Sequence, residues 1–338
     1  MTTIAAPPPR TRRVVTGFAL VVTAIAVLAV LGMAIGTNPL SPARVLAGLF
    51  GDDPQARTIV VGSRLPRVVL AIAVGAALGL AGHLMQSLTR NPLADPGLLG
   101  IQAGAAAAVV SAIAFLGVAT PSGYVWFALL GAAVGALVGY ALAAGGSAAS
   151  PIRLVLAGAA ITACLYSYVS GVLVVDPYTF SRFRFWELGS LTTRSLSVVG
   201  DVVWFLVIGV VLALGLGRAL DVLALVRQTA VALGARPAAT QFAGIGCVIL
   251  LTGAATAAVG PIAFVGLAVP HLSRAMVGPG HHVGLPMSAL LGVLLLQAAD
   301  VLGRVIAWPQ EVGAGIVAAV IGAPALIWFV RSGRVVRL

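Results

Sequence analysis

The sequence predicts an all-α membrane protein that crosses the bilayer about ten times. Three observations carry this. Of 338 residues, 60 % are hydrophobic and only 9 % charged, where a soluble domain carries about 25 % charged residues. Mean hydropathy is +1.09. The apolar residues fall in long Ala-, Gly-, Leu- and Val-rich runs, without the regular alternation over about ten residues that marks an outer-membrane barrel.

Charge narrows the reading. The formal net charge of +11 comes from 20 basic residues, all of them arginine. They sit between the apolar runs, as the positive-inside rule expects, so the charge speaks for a membrane and not for nucleic acid. With no lysine there is no P-loop, whose lysine holds the nucleotide phosphates. If ATP drives this protein, another chain hydrolyses it. Cys164 and Cys247 both lie inside apolar runs and read as small apolar fillers, too few for a zinc site or a disulfide framework.

Residues 1–13 are a Pro-rich basic tail, and residues 14–330 form one transmembrane domain followed by a second basic tail, 331–338. The first span covers about 14–36, and at about 22 residues it is longer than a signal-peptide core. In the mixed segment 37–63, Ser41-Pro42 predicts a short interfacial helix over 43–50, since Ser suits the N-cap and Pro the first position. Residues 64–100 follow, the most distinctive stretch: two arginines three apart, an apolar run over 68–88 long enough to cross about 30 Å of hydrocarbon, and a turn-forming NPLADPG. Further spans are predicted over about 98–118, 124–144 and 152–175. Gly131, Gly135 and Gly139 repeat at four-residue spacing, which allows close helix contact in lipid, as do Gly75 and Gly79.

After the fifth span comes a polar excursion, 176–195, whose aromatic residues suit a membrane interface. A span over 196–216 leads to a moderately apolar segment, 217–240, read as one or two short surface helices. The last elements are a span over 241–259, a short element over 260–274 interrupted by Gly and Pro, and spans over 285–302 and 312–330. Ten crossings put both tails on one side, with twelve arginines against Asp95 and Asp221. The other side has eight arginines against seven acids. That asymmetry places both termini in the cytoplasm, and topology requires none of the outer arginines.

Arg64 and Arg67 share a helix face at i, i+3, and Arg304 ends the ninth element on the same side. As exposed guanidinium forks they would suit the carboxylates of a docking partner. The alternatives are snorkelling anchors, or pairing of Arg304 with Asp300 at i, i+4. Met85, Gln86 and Asn91 stand where the 68–88 run meets its turn, and would line a pathway or bond a neighbouring helix. His83 reads as a packed histidine. His281-His282 alone is a weak metal motif. The sequence has no H-E-x-x-H or G-x-S-x-G signature, and few acids in mid-span for an ion relay.

RLPR (64–67), GHLMQSLTRNPLADPGLLGIQAGA (82–105), LVLAGAAI (154–161), FWELGSL (185–191), GPIAFVGLAVPHLSR (260–274) and EVGAGIVAAVIGAPALIW (311–328) occur in order. Together they resemble the FecCD family, permease subunits of ABC importers for iron–siderophores, haem and cobalamin. The resemblance runs from about residue 37 to the C-terminus. It implies a fold like that of a cobalamin-importer permease, in the bacterial cytoplasmic membrane, with no catalytic residues and no cofactor of its own. The implied partners are a second permease, identical or paralogous, two cytoplasmic ATP-binding subunits, and a periplasmic or lipid-anchored binding protein. It also implies that Arg64, Arg67 and Arg304 meet glutamates of the binding protein at the outer rim. Within 217–240 it marks Ala224, Leu225, Ala230, Leu233 and Gly234 as coupling contacts to the ATPase. Val226-Arg227 departs from the family's Gly-Glu there, so Arg227 implies a partner of altered charge. The expected cargo is an iron–siderophore, with cobalamin or haem as alternatives; a secondary transporter working without ATP is the other class.

Overall fold

Apolar runs of this length fold as helices because in lipid nothing else pairs every backbone amide within one segment. The computed structural model describes residues 10–144, 151–192, 196–224 and 237–331, and among them every regular element is helical. In order these are α1 (Arg10–Ala34), α2 (Pro42–Phe50), α3 (Pro54–Ile59), a π-helical turn (Val60–Arg64), α4 (Leu65–Thr89), a 3-10 turn (Pro96–Leu99), α5 (Ile101–Leu116), α6 (Pro121–Ala144), α7 (Pro151–Val175) and α8 (Pro177–Glu187). They continue with α9 (Leu196–Gly215), α10 (Gly217–Leu223), α11 (Pro237–Val259), α12 (Val265–Val277), α13 (His281–Ile306) and α14 (Ala314–Arg331). Among the described residues, seven helices are long and apolar enough to span a membrane, and two shorter apolar helices, Ile101–Leu116 and Ala314–Ile327, join them.

The caps explain most boundaries. Ser41 accepts from the Arg44 amide and Pro42 starts α2, as the sequence predicts. Two helices were not anticipated, and both begin with an Asp-Pro pair. Asp53 accepts from the Ala56 amide and Pro54 opens α3, which runs on through the π turn into α4. Asp176 accepts from the Tyr178 amide and Pro177 opens α8, inside the polar excursion. An Asp cap followed by Pro at the first position is a helix start; read one residue at a time, the same pair looks like a loop.

Glycine sets the packing. α4 packs against α9, α11, α12 and α13, and 78 % of its most apolar window is buried against 6 % for α1. α4 is thus the axis, and α1 lies at the margin. Along the α4–α13 seam a Cβ on Gly75 would lie 2.6 Å from the Gly292 carbonyl oxygen, and Gly79 meets Ser288 as closely. Gly131, Gly135 and Gly139 of α6 face the backbone of α5 and of the turn before it, so the predicted small-residue face is a true contact. Where α4 crosses α12, Gly82 touches the Gly266 backbone.

α12 has only 13 residues, about 20 Å of helix. The chain covers the remaining depth as the irregular run 260–264, with Phe264 at φ 68°. Irregular backbone is tolerated at that depth only inside protein. Here Gln102 of α5 donates to the Ile262 carbonyl (3.4 Å).

Gly75→Val should force α4 and α13 apart, at about 1–3 kcal/mol or more. The expected result is a lower melting temperature and poorer monodispersity in detergent. Gly246→Ala, where an added Cβ meets nothing within 4 Å, should melt like the parent.

Candidate functional site

One end of the bundle gathers the C-terminus of α1, the start of α4, the end of α13 and the residues before α14. The last-turn carbonyls of a helix have no partner within it and carry the negative end of its dipole. Two arginines cap α1 there. Arg64 donates to the carbonyls of Met33 (2.5 Å), Ala34 (2.9 Å) and Asn38. Arg304 donates to those of Gly32 (2.5 Å) and Ile35 (3.0 Å).

Asp300 stands between the remaining charges. Its carboxylate accepts from Arg67 Nε (2.6 Å) and from Arg304, its i+4 neighbour. Arg67 reaches on to Glu311 (2.5 Å), which Thr192 also approaches (3.5 Å). Three guanidiniums and two carboxylates thus close into one network joining α1, α4, α13 and the approach to α14. The local Arg304–Asp300 pairing foreseen from the sequence is present. The expected exposed forks are not: Arg64, Arg67 and Arg304 are 5 %, 5 % and 2 % exposed. Charges this deep persist only when paired, and the internal carboxylates and helix-end carbonyls supply that pairing.

At the opposite end α13 begins after Gly280, which has no side chain to cap it. Asp221, on α10, does this from another helix. It accepts from the amides of His281 (2.6 Å) and His282 (3.3 Å) and from His282 Nδ1 (2.8 Å). Burial pushes the Asp221 carboxyl up, but these hydrogen bonds outweigh it and hold the group below its ordinary value. His281 Nδ1 lies 3.1 Å from His83 Nε2 and 3.3 Å from Ser87 Oγ, and His83 Nδ1 lies 2.8 Å from Ser288 Oγ. Arg90, at the end of α4, donates to the Leu223 carbonyl of α10 (3.0 Å). The histidines serve as connectors between helices, and the described residues hold no cluster of three or more metal-ligating side chains.

Beside this network Met85 and Gln86 are packed inside the subunit. Gln86 donates to the carbonyls of Gly266 (3.4 Å) and Leu267 (3.2 Å) and accepts from Arg274 (2.5 Å). Of the two roles open from sequence, Gln86 shows the bond to a neighbouring helix here. Asn91 closes a turn by accepting from the Leu93 amide (2.9 Å). His271 Nε2 donates to the Pro92 carbonyl (2.9 Å), so its Nδ1 is the acceptor facing Arg274 (3.4 Å). Sequence reasoning missed Arg274 and Asp221 as partners, and Asp300 as a partner of Arg67, because each of these pairs joins helices far apart in the chain. Of the expected coupling residues, Ala224 is the exposed residue closing α10, while Leu225, Arg227, Ala230, Leu233 and Gly234 lie outside the described residues.

A glycine-seamed bundle of helices, with an irregular half-depth element and polar networks confined to its two ends, defines a membrane-embedded transport permease. The FecCD transport family matches residues 22–332, and the chain belongs to that family. It is 45 % identical over 303 residues to the ferric enterobactin transport system permease protein FepD of Escherichia coli K12, covering 89 % of this chain and 90 % of that one. It is 38 % identical over 283 residues to the probable siderophore transport system permease protein YfiZ of Bacillus subtilis, covering 83 % and 85 %. Among solved structures, one described as a metal-chelate type ABC transporter in an inward-facing conformation superposes with a TM-score of 0.82 at 26 % identity, over 96 % of this chain and 99 % of that one.

Asp300→Asn keeps the shape but leaves Arg67 and Arg304 buried without their shared counter-charge. Breaking a buried pair this way costs about 3–5 kcal/mol, so the melting temperature in detergent should fall sharply. Asp53→Asn, which breaks the exposed Arg44–Asp53 pair, should scarcely move it. Asp221→Ala removes the cap of α13, worth about 1 kcal/mol. Since the folded value of Asp221 is depressed, its contribution is present above the ordinary carboxyl value of 3.8 and is lost as pH falls through the folded one. Parent and Asp221→Ala melting curves should therefore converge in acid.

Proposed function

We propose that this chain is the permease subunit of an ATP-driven importer that takes up an iron–siderophore complex handed over by an extracytoplasmic binding protein. The observation that carries this is the near full-length similarity to FepD, at 45 % identity. Further support comes from relatives named for Fe(3+) dicitrate and siderophore transport and from the ABC transporter superposition. The absence of lysine, and so of a P-loop, fits hydrolysis on separate ATP-binding subunits.

In this reading the permease works as a pair, with both tails cytoplasmic, in the bacterial cytoplasmic membrane. The binding protein docks at the arginine-rich end. There Arg64, Arg67 and Arg304 shape the docking surface from beneath, by fixing the α1 terminus and the residues around Glu311. The segment 217–240 contacts the ATP-binding subunits, and the Asp221 and Arg90 bonds connect it to α13 and α4. Closure of the nucleotide domains then biases a two-state rearrangement of the spans. Asn91, in the turn after α4, lies at the inner end of the cargo's route.

The permease should co-purify with the ATP-binding subunit encoded beside it. In nanodiscs the complex should hydrolyse ATP several-fold faster on adding binding protein loaded with a ferric siderophore. Failure of any ATP-binding subunit to associate, with iron uptake abolished by an uncoupler and insensitive to vanadate, would overturn the assignment in favour of a secondary transporter. Stimulation by loaded cobalamin or haem binding protein alone would keep the class and replace the cargo.

A further inference from the structure

The arginines opposite the basic tails divide by what they touch. Arg44 pairs with Asp53 (3.2 Å). Arg64 and Arg304 cap α1, and Arg67 holds Asp300 and Glu311. Arg182 and Arg184, both on α8, have no carboxylate partner among the described residues. Each lies instead over a ring of its own helix, Arg182 4.8 Å from the Tyr178 centroid and Arg184 4.7 Å from that of Phe185. Arg182 also donates to the Ala119 carbonyl (3.1 Å). The acid on the same helix, Glu187, pairs with neither, and burial pushes its carboxyl up. Topology does not require cations here, and internal pairing does not use them.

Both guanidiniums line one cavity of about 780 Å³, between α8, the start of α6 and the approach to α14. That volume is within the range of small-molecule sites, about 300–1,000 Å³. Tyr124, Phe185 and Trp186 give it aromatic walls, and Thr192 adds a hydroxyl. The Trp186 indole N–H is buried with no acceptor among the described residues. The Glu311 carboxylate also borders the cavity, but Arg67 already holds it (2.5 Å). The cavity therefore offers two cations without carboxylate partners and an aromatic lining.

A ligand that answers all of these is anionic and carries aromatic rings on its surface. Guanidiniums take anionic oxygens through charge-assisted hydrogen bonds, and ring faces take rings. Among iron chelates, ferric catecholates meet both demands. Neutral ferric hydroxamates leave the cations unanswered, and ferric citrate has no ring. We propose that this cavity is the permease's own contact site for its cargo, and that it selects anionic, aromatic chelates of the ferric catecholate class. The proposal rests on the iron-chelate reading above and names the chelate.

The test uses the complete transporter in proteoliposomes, with radiolabelled ferric tris-catecholate, ferric hydroxamate and ferric citrate as separate cargoes. The double variant Arg182→Gln/Arg184→Gln should raise the KM for the catecholate about tenfold, which is about 1.4 kcal/mol of lost interaction. Arg182→Lys/Arg184→Lys should restore most of it, and melting temperatures should stay close to the parent's. The single variant Arg184→Gln, at an exposed position, gives a partial rise if the double variant is poorly expressed. An unchanged KM, a loss that tracks a fall in melting temperature, or a parent that prefers hydroxamate or citrate would overturn the cavity assignment and leave iron-chelate import standing. A parent that takes up none of the three sinks the iron-chelate reading instead.

Discussion

The carboxylate of Asp300 is the point on which one end of the molecule turns. Two guanidiniums share it, those of Arg67 and Arg304, and through them it governs the α1 terminus, the start of α4 and the residues preceding α14. A buried ion cluster is not in itself a gain in stability, since desolvating each charge offsets much of the attraction. What it provides is specificity of arrangement. Arg304 can hold the carbonyls of Gly32 and Ile35 only while Asp300 orients it, and Arg67 can hold Glu311 only while Asp300 fixes its Nε side. α1 depends on this most. With 6 % of its most apolar window buried, it is attached chiefly by α13 along its length and by arginines at its end.

Small residues play the complementary part between the two ends. In lipid the apolar side chains of neighbouring helices gain little by meeting, because hydrocarbon is as good a neighbour. Close backbone approach at Gly75, Gly79 and Gly292 replaces that missing drive with dense van der Waals contact. The same contact makes α4 and α13 a single stiff unit: one carries Arg67 and His83 at its two ends, the other Arg304 and His281. A displacement applied at Asp221 therefore reaches Asp300 through two helices in backbone contact, without passing through any loop.

Much of this architecture is legible in the sequence, for identifiable reasons. Apolar run length gives the spans, the Gly131, Gly135 and Gly139 spacing gives the α5–α6 contact, and Gly and Pro in 260–274 give the broken element that becomes α12. The helices α3 and α8 were hidden because Asp-Pro opens a helix as readily as it makes a turn, and local composition cannot separate the two. The site was half legible. Arginines flanking apolar runs stand out, and the i, i+4 pairing of Arg304 with Asp300 can be counted directly. Whether a guanidinium faces water or a carboxylate 244 positions further along the chain, as Arg67 faces Glu311, depends on the tertiary fold, and the burial of all three arginines follows from that.

The same distinction explains why α8 matters more than its composition suggests. A polar, aromatic excursion between spans is adequately described as an interface segment, and Tyr178 and Phe185 are exposed as such segments require. Folding it into a helix capped by Asp176 does something further. Trp186 and Phe183 turn inward and anchor it, and Ser190, just beyond, bonds the end of α11 at Val259 (2.9 Å). Gly189 then accepts from the Gly315 amide at the start of α14 (3.0 Å). A segment anchored on three sides holds its arginines at fixed positions, so their charge faces the cavity without first being ordered by a ligand. Preorganised cations cost less to engage than flexible ones. An unpaired charge on a fixed helix beside a cavity is therefore better placed for recognition than the same charge on a mobile loop.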